Sequence, residues 1–538
     1  MTTETDQTVT EHPEPTGASH EVAPTEMFFS TTDSRGVISD ANSVFVRLSR
    51  YPLQSLLNAP HSIIRHPDMP AGAFEAMWQT LGAGDPFCAY VDNLAADGSR
   101  YTVFATVTPL ADGGYLSVRT RPLCLDLLDL VRGMYAVARP KERESREGGA
   151  SAHQAAVLGL TELAAQIADA GIGTYLDVMH LVLPAEIEAR RAAGVGIPLR
   201  PQAEGAVGSI LTSAKELADA LDGWTQRQQE LSSVADDLVA AQAALTASMD
   251  RALDAAGRFK EALAARAGFA PALMTIDLWA QMMSVVVDEV RELAAALAEL
   301  RSSCAGTRFR LALAHLHDEA VGQFAGEITD GLEPALAARA GSSIVMLCEA
   351  MEDGFELTRS EMSYNARLAC RTVGLIADAR GLIAMPTDLI ASWRDQVAGR
   401  DDAGFAELVP LVEDQIRSAR ESLDMLSGLG ERCAGLAEPH DTTAADAALE
   451  AIRRAADTLV VDGAGRPCRR LFPWDARSGT VTPDGKADEA SHPPLSAEAH
   501  HDRPSNPHQT ARRRRGDHPR SHRYGHRLGR LDLVRGPG

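Results

Sequence analysis

Near residue 122 the sequence passes from short apolar runs broken by Gly, Pro and Asp to apolar residues recurring every three or four positions. That transition limits the chain to an N-terminal sheet-bearing unit followed by helices. Before it, runs at 27–30, 36–39, 88–94, 101–108 and 114–119 read as strands, with helical segments at 42–48, 53–57 and 73–81 between the second and third. The turns Ala96-Asp97-Gly98 and Asp112-Gly113-Gly114 place glycines where tight hairpins require positive φ. The predicted domain, 26–122, is α+β: a five-stranded antiparallel sheet with helices on one face.

After the transition the chain reads as all-helical. A composition 45% hydrophobic but only 5% aromatic favours long helices over a sandwich or barrel. An exit helix and helical linker are expected over 123–200, and a helical signalling or dimerisation region over 201–460. Leu217, Trp224, Leu231, Leu238, Leu245 and Ala252 recur every seven residues, with Leu221, Gln228, Ala235, Gln242 and Met249 at the second heptad position. This seam serves either a dimeric coiled coil or a buried helix of a bundle. Further helices are expected at 275–302, 306–328, 343–383, 402–434 and 443–460, broken near Gly331, Pro386 and Pro439. Residues 1–25 and 461–538 read as a disordered leader and a disordered tail rich in Pro, His and Arg.

A net charge of −22 repels nucleic acid and anionic lipid, so the expected partners of the body are proteins. The seven cysteines form no CxxC pair, which points to a reducing cytoplasm. No signal peptide and no membrane span are expected. No phosphate loop or nucleophile elbow occurs, so no enzyme activity and no catalytic residue are expected.

One loop concentrates chemistry: Pro60-His61-Ser62-Ile63-Ile64-Arg65-His66-Pro67-Asp68-Met69-Pro70. Its prolines restrict φ and bias their predecessors away from helix, setting the polar side chains on a stiff frame. The loop resembles that of the PAS domain of bacterial aerotaxis receptors. The similarity extends through Ser30-Thr31-Thr32-Asp33, Ala41-Asn42, Phe74, Trp78, Gly84-Asp85-Pro86 and Gly114-Tyr115-Leu116-Ser117-Val118-Arg119-Thr120, spanning about 27–122.

The resemblance implies a PAS sensor holding a flavin, normally FAD, whose redox state is the signal. The positions it implicates match Asn42, Arg65, His66, Asp68 and Trp78. Arg65 would engage phosphate or carbonyl oxygens, His66 and Asp68 would fix the loop and the ring polarity, and Trp78 would pack on the ring. Two positions depart from the pattern: Phe87 stands for a Trp, and Thr102 removes an aromatic wall of about 150–250 Å². Beyond 122 neither the membrane anchor nor the chemoreceptor tip of that family is evident.

Other clusters carry less. His61, His66 and Asp68 match no metal-binding face; His315, His317, Asp318 and Glu319 read as a solvated helix face, and Cys88 as a small buried residue. The resulting expectation is a cytoplasmic redox or oxygen sensor, relaying through helices to a signalling protein and forming a homodimer. The alternative is a cofactor-free PAS interaction module.

Overall fold

The computed structural model describes residues 13–111, 113–264, 270–332, 334–397, 408–437 and 441–460. Residues 1–12 of the expected leader, the tail (461–538), Asp112 of the second hairpin turn and the break at Pro439 lie outside them.

Strands β1 (Met27–Thr32), β2 (Ile38–Ala41), β3 (Phe87–Leu94), β4 (Arg100–Pro109) and β5 (Tyr115–Thr120) form one antiparallel sheet in the order β2-β1-β5-β4-β3. Between β2 and β3 come α1 (Ser43–Ser49), α2 (Leu53–Leu56), a 3-10 turn (His61–Ile64) and α3 (Ala71–Gly82). The five-stranded α+β domain is therefore present as expected. Register fixes what each face carries: Phe87 pairs with Val107, Ala89 with Ala105, Ala105 with Arg119 and Arg119 with Phe28. These residues share the face turned to α1–α3, because side chains alternate along a strand. Cys88, Tyr90, Phe104, Thr106, Leu116 and Val118 occupy the other face.

That other face is covered as well. Helices α4 (Leu125–Glu147), α5 (Ala152–Asp169) and α6 (Tyr175–Ala192) come after the sheet, and Met134, Tyr135, Met179 and Val182 join its apolar residues in one buried cluster. Residues 13–25, expected to be disordered, pack on the domain: Val22 is buried, and Thr16 and His20 donate backbone hydrogen bonds to Gly98 and Arg100.

The remainder is a helical bundle of α7 (Gly205–Ala264), α8 (Ala270–Thr329), α9 (Pro334–Val397), α10 (Leu408–Leu436) and α11 (Thr443–Leu459). At 1.5 Å per residue the first three are each about 90 Å long or more. α10 and α11 both pack on α7 and α9, together filling the fourth column of the bundle. Two expectations are corrected here. The segments 275–302 and 306–328 are one helix, and α9 runs through Pro386, where Ile383, Thr387, Ile390 and Trp393 on either side are buried in the bundle. A proline loses one helix hydrogen bond, and burial on both sides offsets that loss. The heptad residues Leu217, Leu221, Trp224, Leu231, Leu238 and Leu245 are all buried within the chain's own bundle. Among the described residues, no helix is long and apolar enough to cross a membrane.

Candidate functional site

Between α3 and the sheet lies a cavity of about 30 Å³ lined by Ile64, Met69, Phe74, Met77, Phe87 and Val91, among other apolar side chains. Four polar side chains break this wall: His61, Arg65, Asn93 and Arg119. The stiff loop supplies Arg65, whose guanidinium lies 3.5 Å from the centre of the Phe74 ring. Its backbone bridges to Asn93 of β3. The Arg65 Nε and Asn93 Nδ2 donors are buried without a hydrogen-bond partner. Orphaned buried donors are costly, and a pair of them facing an apolar cavity marks a place for a ligand with acceptor atoms.

Arg119 is 2% exposed, on β5. Its Nη1 donates to Ser30 Oγ at 3.0 Å, and its Nη2 donates to His61 Nε2. His61 thus keeps its proton on Nδ1, and burial together with Arg119 and Arg65 pushes its pKa well below the ordinary value. Burial also lowers both guanidinium groups to about 10, which leaves them charged at neutral pH.

Of the five residues expected to hold a ligand, Arg65 alone lines the cavity. Asn42 is the N-cap of α1: its Oδ1 accepts from Phe45 N at 3.0 Å and Phe29 N at 3.1 Å, while Nδ2 donates to Met27 O. It ties α1 to β1. His66 is buried, with the Asp68 amide 3.1 Å from Nδ1 and Arg100 Nε 3.2 Å from Nε2. Burial and Arg100 lower its pKa. Asp68 accepts from Arg100 and from Arg143 of α4, each at 2.8 Å. These two residues shape the loop from behind. Trp78, 39% exposed, lies on the outer side of α3 against Gly36 and in edge contact with Tyr115. One step along the helix from Met77 turns it away from the cavity wall.

Thr102 is also placed differently from the expectation. It faces the helices, accepting from Arg132 Nη2 at 2.7 Å and donating to Asp92 at 2.6 Å, so an aromatic lost there takes nothing from the cavity. Phe87, by contrast, does line the wall. His61 and His66 engage separate arginines and do not converge. Cys88 faces α6, with Sγ 3.9 Å from Met179 O. Asn93 and Arg119 went unrecognised as site residues, although Asn93 is a polar side chain in an otherwise apolar strand phase and Arg119 is a charge within a strand.

Two buried carboxylates tie the cavity to the helices beyond the sheet. Glu142 of α4, fully buried, accepts from Ala71 N and Gly72 N at 2.8 Å each and so caps the N-terminus of α3. Arg139 donates to Pro67 O. Glu186 of α6, also fully buried, accepts from Tyr90 OH at 2.7 Å, Leu123 N at 2.8 Å and Cys124 N at 3.0 Å, capping α4 in the same way. Arg190, one turn further along α6, pairs with Glu319 of α8.

A five-stranded antiparallel sheet in this order, with short helices over one face and a mostly apolar cavity beneath them, defines a sensory domain of the PAS class. About 114 residues at the N-terminus are 41% identical to the aerotaxis receptor of Escherichia coli strain K12, covering 20% of this chain and 22% of that one. The domain is of the aerotaxis-receptor type. The nitrogen fixation regulatory protein of Klebsiella pneumoniae is 36% identical over 81 residues, 15% of this chain and 16% of that one. The chain therefore spans about a fifth or less of the length of these curated relatives. No family model matches it. A domain of a sensory box sensor histidine kinase/response regulator from Geobacter sulfurreducens aligns with 18% of this chain and 82% of its own, at 16% identity and a TM-score of 0.15, too low to bear on the fold.

Proposed function

We propose that this protein is a redox or oxygen sensor, without a catalytic step of its own, whose PAS cavity holds a flavin, FAD in the first instance. The observation that carries this reading is the pair of orphaned donors, Arg65 Nε and Asn93 Nδ2, in an otherwise apolar cavity. A flavin ring offers the complement: a flat apolar body with carbonyl and nitrogen acceptors along one edge. Bound there, it would supply a reducible centre. Arg65 and Asn93 would hold its polar edge, Phe74 and Phe87 would flank its faces, and the apolar wall would exclude water. At about 30 Å³ the cavity has room for one water, so a ring enters only as Arg65 and Phe74 separate. This closeness favours the other reading, a cofactor-free interaction module.

In the sensor reading the signal leaves through α4. The loop carrying Arg65 is fastened to α4 by Asp68, Pro67 and the Glu142 cap, and α4 is fastened to α6 by Glu186. Movement of the loop therefore reaches the bundle, which presents it to a cytoplasmic signalling partner. The test is the absorption spectrum of the full chain purified without added cofactor. The two visible bands of an oxidised flavin are expected, falling at least tenfold per mole of protein in Arg65→Ala and Asn93→Ala. A colourless folded chain that takes up no added FAD would leave the cofactor-free module.

A further inference from the structure

Arg119 carries a positive charge buried in the domain, and among the described residues no carboxylate pairs with it. The groups that face it are Ser30 on β1, His61 on the 3-10 turn, Tyr101 on β4 and the rings of Phe28 and Phe45, 5.2 and 5.6 Å from its guanidinium. His61 accepts from Arg119 and is neutral, so nothing in this shell is negative at neutral pH. Arg65, the other cation at the cavity, has Glu142 of α4 within electrostatic reach. The equally buried Arg190 shows the ordinary arrangement, with Glu319 fitted against its guanidinium. An isolated buried cation is strongly disfavoured in a low-dielectric interior unless something supplies the opposite charge. Arg119 borders the cavity together with Asn93, itself 2% exposed, and Arg65. The two orphaned atoms in that wall, Asn93 Nδ2 and Arg65 Nε, are both donors.

We propose that the cavity, with Arg65 and Phe74 in contact, is a site for one small monovalent anion of halide size, chloride in the first instance, held by Arg119, Asn93 and Arg65. Size, charge and hydrogen bonding agree on this class. A space of about 30 Å³ admits an occupant close to a water in size and is too small for sulfate or phosphate. One uncompensated guanidinium calls for a single negative charge, and the attraction is weakly screened in an apolar cavity. A halide accepts hydrogen bonds and donates none, which suits orphaned atoms that are all donors; a water would satisfy those donors but leave the charge of Arg119 unmatched. The inference does not rest on the flavin reading. A ring that parts Arg65 from Phe74 would displace the anion, so the two ligands exclude each other.

The test is the thermal midpoint of the full chain in sodium gluconate, exchanged stepwise for sodium chloride at constant sodium, with the absorption spectrum of the same sample recorded. In a colourless chain chloride is expected to raise the midpoint saturably, as a ligand of the folded state does, and bromide to do the same. Sulfate should give only the non-saturating rise of an excluded salt. Asn93→Leu and Arg119→Gln are expected to raise the half-saturating chloride concentration at least tenfold, the loss of one hydrogen bond to a charged partner. Arg119→Lys, which keeps the charge, should retain a saturable response, and it decides together with Asn93→Leu if Arg119→Gln fails to fold. Equal midpoints in chloride and gluconate, or variants that respond as the wild type does, overturn the anion site and leave the cofactor-free module standing. In a chain that carries flavin, chloride is expected to weaken FAD binding competitively. An FAD affinity indifferent to chloride overturns the anion site and leaves the flavin reading intact.

Discussion

His317 and Asp318 are neighbours on α8, 2% and 1% exposed, where the sequence pointed to a solvated face. The expectation fails because α8 is packed here on several sides, by α6 and the sheet as well as by its bundle partners, so residues 311–326 leave no stripe for water. Burial lowers His317 to about 4 and, with Glu319, raises Asp318 well above the ordinary carboxyl value. The two act on stability with opposite sign. Between pH 6.5 and about 4 the unfolded chain binds a proton that folded His317 refuses, so stability is lost as pH falls through that window, by about 3 kcal/mol in all. Asp318 stabilises below its unfolded value of 3.8 and loses that contribution as pH rises through its folded one. Asp318→Asn is therefore expected to raise the thermal midpoint at neutral pH and to leave it unchanged near pH 3.8. His317→Gln should flatten the acid limb of the stability curve. Thermal melts followed by circular dichroism across this range check both, and an unchanged acid limb in His317→Gln would contradict the assignment.

The strands and helices of the PAS domain were legible because each run is bounded by turn residues and the helical segments stand between them. Arg65 was legible because it sits in a dense polar loop. The rest of the cavity was not, because both faces of the sheet are buried. In β5 the alternation of Leu116 and Val118 with Ser117 and Arg119 separates a helix-facing side from a cavity side, where a half-solvated sheet would separate inside from outside. The heptad seam was legible as a pattern but not as a partnership, since buried columns of one bundle and of two chains have the same period.

At the level of elements, α3 and α5 approach each other closely. A Cβ on Gly72 would meet the backbone of Gly159 and Leu160, and one on Gly159 would meet the Glu142 carboxylate. This notch lets Glu142 reach the first amides of α3. Glu142→Gln is expected to destabilise the chain by about 1–3 kcal/mol, since a charged acceptor of two backbone donors becomes a neutral one. It should also speed hydrogen exchange at Ala71 and Gly72. Gly159→Ala, which blocks the same contact by bulk alone, should reproduce that exchange pattern. Protection unchanged in both would mean that the cap does not hold α3.

Among the described residues the bundle has two apolar clusters. One, containing Leu217, Trp224, Phe355 and Met362, is continuous with the core around α4–α6; the other holds Leu231, Leu245, Leu300 and Leu368. At their boundary Asn365 Nδ2 donates to Gln228 Oε1 at 3.1 Å and to Thr307 Oγ1 at 2.9 Å, all three residues buried. Such a polar layer fixes the register of α7, α8 and α9. Because the seam is consumed within one chain, light scattering at micromolar concentration is expected to return the mass of a single chain. Twice that mass would mean that a second copy docks on another face.

The two buried caps run in one direction along the structure, α6 to α4 through Glu186 and α4 to α3 through Glu142, but free energy does not share that direction. Any occupant of the cavity that changes the affinity of the bundle for a partner by some factor must have its own affinity changed by the same factor when that partner binds. If the proposed sensor has such a partner, the partner would tune its sensitivity, and the response threshold would belong to the complex rather than to the PAS domain alone.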